Sequence, residues 1–169
     1  MNYSCIPQNE TLLEMCRLGE DVLDSAGMQS LRTFEHHGVI SRYEHCLSVA
    51  YISLRIADRW HIRVDRQSMV RGALLHDYFM YNWDEPGNVR LLHGFTHAGE
   101  ALRNAKKEFE LNAVECDVIK KHMFPLNIAL PRYRETAIVS LADKISAVIE
   151  TLHTAHAMRI LGMCRVVGM

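Results

Sequence analysis

A chain of 169 residues, 49% hydrophobic and 23% charged, is long enough to bury one sizeable core and short for two, so one domain is expected over residues 1–169. The formal net charge of -1 gives no basic field for nucleic acid or an anionic membrane surface. Cys5, Cys16, Cys46, Cys116 and Cys164 are odd in number and contain no CxxC pair, which suits reduced thiols better than a disulfide framework or a zinc knot.

The opening MNYSCIPQNE has no basic region followed by an apolar one, and no charge-free apolar stretch reaches membrane-spanning length. The expectation is a cytoplasmic protein without a membrane partner. From Pro7, PQNETLLEMCRLGEDVLDSAG carries Leu12, Met15, Cys16, Val22 and Leu23 at helical spacing, and its helix is expected to stop at Gly27. In SRYEHCLSVAYISLRIADRW, Ser41 and Glu44 stand in capping-box relation, and Val49, Ile52, Ile56 and Trp60 supply an apolar face. Asp65 is the expected N-cap of VDRQSMVRGALLHDYF, which sets Met69, Ala73 and His76 on one side.

Thr96 is the candidate N-cap of THAGEALRNAKKEF, and Asn112 with Glu115 forms a second capping box in NAVECDVIKKHMF. That helix must end before Pro125. The last long helix, RETAIVSLADKISAVIETLHTAHAM, is apolar at Ile138, Leu141, Ala142, Ile145 and Ile149. Strand signals are almost absent, so the fold class is all-α, with about six helices. The apolar tail MRILGMCRVVGM could pack on the domain or on a second subunit, which leaves a homo-oligomer open.

Polar residues stand where core residues should. RGALLHDYFMYNW places His76 and Asp77 inside an apolar run, and an unpaired buried carboxylate is costly, so such an acid keeps a cation, a metal or a proton for company. His45 follows the first turn of its helix, His97 begins one, His122 ends one, and Asp143 sits mid-helix in IVSLADKISAV. Singly, a histidine on an apolar face is more often a hydrogen-bonded core residue. Together, imidazoles and carboxylates are the donor mix for a divalent metal such as Fe, Mn, Co, Ni or Zn, which a helix bundle can hold with inward-pointing side chains.

The ordered segments SRYEHCLSVA, GALLHDYF, LHGFTHAGEAL, IKKHMFP and VSLADKISAV resemble those of the HD superfamily of metal-dependent phosphohydrolases over about residues 37–150. The resemblance implies an HD-type helical bundle and one or two divalent ions per chain. It matches His45, His76, Asp77 and Asp143 to a first metal position, and His97 and His122 to a second, with Asp77 bridging. His93 is the alternative to His97, which THAGEAL favours; the other of the two would bind substrate. His37, with His36 as its rival, would lie at the cavity mouth or just behind the metal ligands. Met80 stands where many cyclic-dinucleotide members have lysine, and no Gly-Tyr-Pro motif follows, so that subgroup's chemistry does not carry over.

On this reading Asp77 and His76 are catalytic as well as metal-binding, and the substrate is a small phosphate ester, a nucleotide foremost. His93, His37, Lys121 and Arg132 are the substrate-binding candidates, with Arg90, Lys120 and Arg134 also near the irregular loops and Tyr81 and Trp83 as stacking candidates. His61, His153 and His156 fall outside the matched segments. The rival readings are a non-catalytic metal- or nucleotide-binding module, a diiron oxygenase-like enzyme and a structural metal site. The last is disfavoured because structural zinc prefers cysteine-rich sites.

Overall fold

Side-chain caps fix three helix starts where the sequence puts them. Ser41 accepts from the Glu44 backbone N–H while Glu44 returns to the Ser41 backbone, Asp65 accepts from Ser68 N–H, and Asn112 with Glu115 closes a second box. The computed structural model describes residues 10–37, 40–80 and 90–152. Its elements are α1 (Glu10–Leu18), α2 (Glu20–Leu23), α3 (Ala26–Ser30), a 3-10 turn (Leu31–Thr33), β1 (Glu35–His37), β2 (Ile40–Ser41), α4 (Arg42–Arg59), α5 (Arg66–Leu75), α6 (Arg90–Glu108), α7 (Ala113–Lys121) and α8 (Arg134–Leu152). The fold is all-α, and β1 and β2 form only a small antiparallel ribbon, too short for an alternating pattern to announce it.

Four expectations need correction. The helix from Pro7 to Gly27 is three short pieces; Leu74 fills the space a Cβ on Gly19 would need, Ser25 caps a new start by accepting from Met28 N–H, and Gly27 lies inside α3. Trp60 is 57% exposed because α4 ends at Arg59, before it can turn that ring inward. Thr96 is no N-cap: α6 has already begun at Arg90, so Thr96 and His97 lie within it rather than at its start. Leu141 faces outward, since the buried row of α8 runs through Ile138, Ala142, Ser146 and Glu150 at four-residue steps.

The core lies where α4 packs on α5 and α8, and α7 packs on α5 and α8. Cys46, Ala50, Leu54, Met69, Ala73, Leu74, Val118, Ile119, Val139 and Ala142 fill it. Gly72 lets α5 and α7 approach closely: a Cβ there would stand 2.9 Å from Val118 Cβ and Cγ1. The α7 end is thereby drawn against the α5 end, which brings the two helix termini carrying His122 and His76 together. No described helix is long and apolar enough to cross a membrane.

Candidate metal centre

Five helices or their ends each deliver a donor to one buried place. His45 stands on α4, His76 caps α5 with Asp77 in the turn behind it, His97 lies on α6, His122 caps α7 and Asp143 lies on α8. All but Asp143 are buried, and its side chain is only 15% exposed. The donor atoms of His45, His76 and Asp143 lie within 4.8 Å of one another, as do those of His76, Asp77 and His122. His45 Nε2 is 3.2 Å from Asp143 Oδ1 and 3.3 Å from His76 Nε2. His97 Nε2 is 3.0 Å from His122 Nε2.

Asp77 faces both sides. Its Oδ2 is 3.8 Å from His76 Nε2, while Oδ1 is 3.4 Å from His97 Nε2 and 3.6 Å from His122 Nε2. Two short local bonds decide which ring nitrogens face inward. His76 Nδ1 lies 2.7 Å from the Ala73 carbonyl and His122 Nδ1 lies 2.9 Å from the Ile119 carbonyl. A carbonyl only accepts, so each Nδ1 carries hydrogen, and in the neutral ring each Nε2 turns a lone pair inward. Inward lone pairs beside carboxylate oxygens are the donor set of a divalent ion, and the residues present therefore fit one.

Electrostatics agree with this geometry. Burial alone would discharge His45, but its bonds to Asp143 and Glu150 prevail and hold its pKa up to about 10. Burial opposes the Asp143 charge too, yet the His45 bond and the nearby His76 and His122 keep that carboxyl well below its usual range. His122 is pushed down to about 3, chiefly by burial and then by repulsion between its imidazolium form and the neighbouring His76. Cys46, next to His45, has its thiol driven up to about 12 by burial and then by the Asp77 charge, so it offers no thiolate at neutral pH.

The other candidates are placed differently. Lys121 Nζ pairs with Asp117 Oδ1 at 2.5 Å, and the Arg132 backbone N–H donates to Asp117 Oδ2 at 2.9 Å, so both belong to the corner between α7 and α8. The Arg132 side chain is exposed there, as are Lys120 and Arg134. His37 and His36 lie in β1, His93 and Arg90 in α6, but their side chains fall outside the described set. Tyr81, Trp83, His153 and His156 lie outside the described residues, and His61 is exposed just past α4.

Sequence reasoning missed three participants. Glu150 Oε1 is 2.9 Å from His45 Nδ1; its spacing of seven from Asp143 puts both on one face of α8, and that was a readable signal. Lys144 Nζ donates to the His122 carbonyl at 2.9 Å and lies 3.3 Å from Asp143 Oδ2. Arg42, wholly buried at the start of α4, donates to the Phe79 carbonyl at 2.7 Å and stacks 3.7 Å over that ring, which itself packs 5.7 Å from the His97 ring. It thus holds the chain just after Asp77 in place. No periodicity distinguishes it from a surface arginine.

Helix ends converging on a buried cluster of histidines and aspartates define an all-α protein with a candidate metal centre. The HD domain family model matches residues 42–148, well over half of the chain, and the protein belongs to that family, whose members are in general metal-dependent phosphohydrolases. A search of curated proteins and a search of solved structures each found no significant match.

Proposed function

We propose that this protein is a metal-dependent phosphohydrolase that cleaves a small phosphate ester, with nucleotides the foremost substrate class. The observation that carries the reading is Asp77, whose two oxygens face different histidines: Oδ2 towards His76, and Oδ1 towards His97 and His122. A carboxylate so placed suits a bridge between two cations. His45, His76 and Asp143 would hold one ion, and His97 and His122, with His93 the alternative to His97, the other.

Divalent ions at these positions would supply a Lewis acid that acidifies a water towards neutrality and offsets charge on phosphate oxygens. The chain's own groups do the rest. Asp77, fixed between the clusters, orients that water by accepting its hydrogen bond. The Ala73 and Ile119 carbonyls keep the His76 and His122 rings from turning. Lys144 carries a partly exposed ammonium beside Asp143 and can meet a phosphate oxygen there. Arg132 keeps an exposed guanidinium for the rest of the ester, whereas Lys121 must share its charge with Asp117. His37 and the histidine of the 93/97 pair that is not a ligand complete the substrate contacts.

The test is elemental analysis of protein purified without chelator, joined to a turnover screen on nucleotides and simple phosphomonoesters. One or two Fe, Mn, Co, Ni or Zn per chain are expected, with loss of metal and of turnover in Asp77→Ala. His61→Ala should change neither. An Asp77→Ala protein with full metal and full turnover sinks the assignment. Full metal with no turnover anywhere favours a binding module, and oxygen uptake with redox-active iron favours the oxygenase-like alternative.

A further inference from the structure

The corner between α7 and α8 turns apolar side chains away from the core. Among the described residues, the three most exposed large apolar side chains all stand there: Leu126 at 63%, Ile128 at 90% and Leu130 at 70%. They alternate with half-buried Asn127 and Ala129, so one row faces outward. The base of the corner is tied down. The Phe124 carbonyl accepts from Ser140 Oγ at 2.7 Å, Asn127 N–H donates to the Met123 carbonyl at 3.1 Å, and Arg132 N–H donates to Asp117 at 2.9 Å. Charge of one sign gathers around the row. From residue 118 to residue 134 the sequence has four lysines and arginines and no acid. Lys120, Arg132 and Arg134 are exposed, whereas the flanking Asp117 and Glu135 are buried. Asp117 pairs with Lys121, and Glu135 accepts from the Asp65 backbone N–H at 2.7 Å.

We propose that this corner docks on an anionic lipid surface. Leu126, Ile128 and Leu130 enter the headgroup layer, and Lys120 and Arg134 meet its negative charges. An exposed apolar cluster rimmed by positive charge is matched by a surface that is apolar beneath and negative at its edge. Side chains that protrude singly suit a fluid surface, which needs no matching pockets. A second copy of the chain suits the corner less, because a two-fold contact would set the basic rim against itself. The formal net charge of -1 predicts no such partner, but charges beyond about 8 Å are screened at physiological salt, so the local strip decides. Three side chains and a basic rim give a peripheral, reversible contact. Such docking requires no metal in the centre.

Flotation of the full chain with vesicles tests this, using phosphatidylcholine alone and an equal mixture with phosphatidylglycerol. The wild type should bind the mixed vesicles at least about tenfold more tightly, and raising salt from about 0.1 M to about 1 M should release it. Lys120→Gln with Arg134→Gln should weaken binding by about 10–30-fold. Ile128→Ser with Leu130→Ser should weaken it by about tenfold or more. Both pairs change exposed side chains, and unchanged circular dichroism and Tm check that the variants fold. Ile128→Trp should show blue-shifted emission on the mixed vesicles, quenched by brominated acyl chains, which contact through charge alone would not give. No binding to mixed vesicles, equal binding to both vesicle types, or binding unmoved by either pair of substitutions overturns the proposal. So does a wild-type chain that is dimeric in solution and monomeric in the Ile128→Ser, Leu130→Ser variant, which would assign the corner to a second copy.

Discussion

His45 is charged at neutral pH in the metal-free protein, because Asp143 and Glu150 together outweigh the burial that would discharge it. An ion held at Nε2 would displace that proton, while Nδ1 keeps its hydrogen and goes on donating it to Glu150. Uptake at neutral pH should therefore release about one proton per ion bound there, and apparent affinity should rise by up to about tenfold per pH unit below the His45 pKa. Calorimetric titration in two buffers of different ionisation enthalpy measures the release; identical heats in both would count against it. Stability carries the same signature with defined signs. The His45 pKa is raised in the folded chain, so its contribution is complete below about 6.5 and fades as pH climbs towards about 10. His122 is depressed, so keeping it neutral costs more as pH falls from about 6.5 towards about 3. From these two groups the metal-free protein should be most stable near pH 6.5, and bound metal should flatten the alkaline limb.

Between α5 and α7 the spacing depends on one missing methyl group. An alanine at Gly72 would set its Cβ 2.9 Å from Val118 Cβ, an atom fixed to the α7 backbone rather than the tip of a flexible side chain. Helix propensity favours alanine by about 1 kcal/mol, but overpacking costs about 1–3 kcal/mol, so Gly72→Ala should destabilise on balance. It should also weaken metal uptake, because α7 must retreat and it carries His122 at its end. Urea unfolding reads the first effect, and adding Val118→Ala should restore part of both. The approach itself was not legible in the sequence, where Gly72 is one small residue in RGALLH. Caps were legible: Ser41, Asp65 and Asn112 pair with nearby backbone donors, so three or four residues carry the whole signal. The breaks in the first helix and the early start of α6 were not, because Gly19 answers to Leu74, far away in the chain, and Thr96 is as ready a cap as Ser41 until the preceding turn is helical.

Across the whole molecule the same division holds for the centre. Histidines and aspartates inside apolar runs were visible as misplaced polar groups, and the structure gathers His45, His76, Asp77, His97, His122 and Asp143 into one network. What lay hidden were partners defined by distance in space, such as Glu150 behind His45 and Lys144 beneath His122. That geometry makes a final prediction about folding. The six donors come from five helices or their ends, spread from residue 45 to residue 143, so an ion held among them ties together segments that the unfolded chain cannot bring near one another. Such an ion would bind the native state and scarcely the unfolded one. At a free concentration of about 100 times Kd, the stabilisation is about 2.7 kcal/mol. For a chain of this size that corresponds to a rise in Tm of about 5–10 °C. Chelation should reverse the rise and readdition restore it, while Asp77→Ala, stripped of the residue facing both clusters, should lose most of it. A Tm indifferent to chelator and to metal would mean that the helices need no ion to meet, and that the cluster is held by its own hydrogen bonds alone.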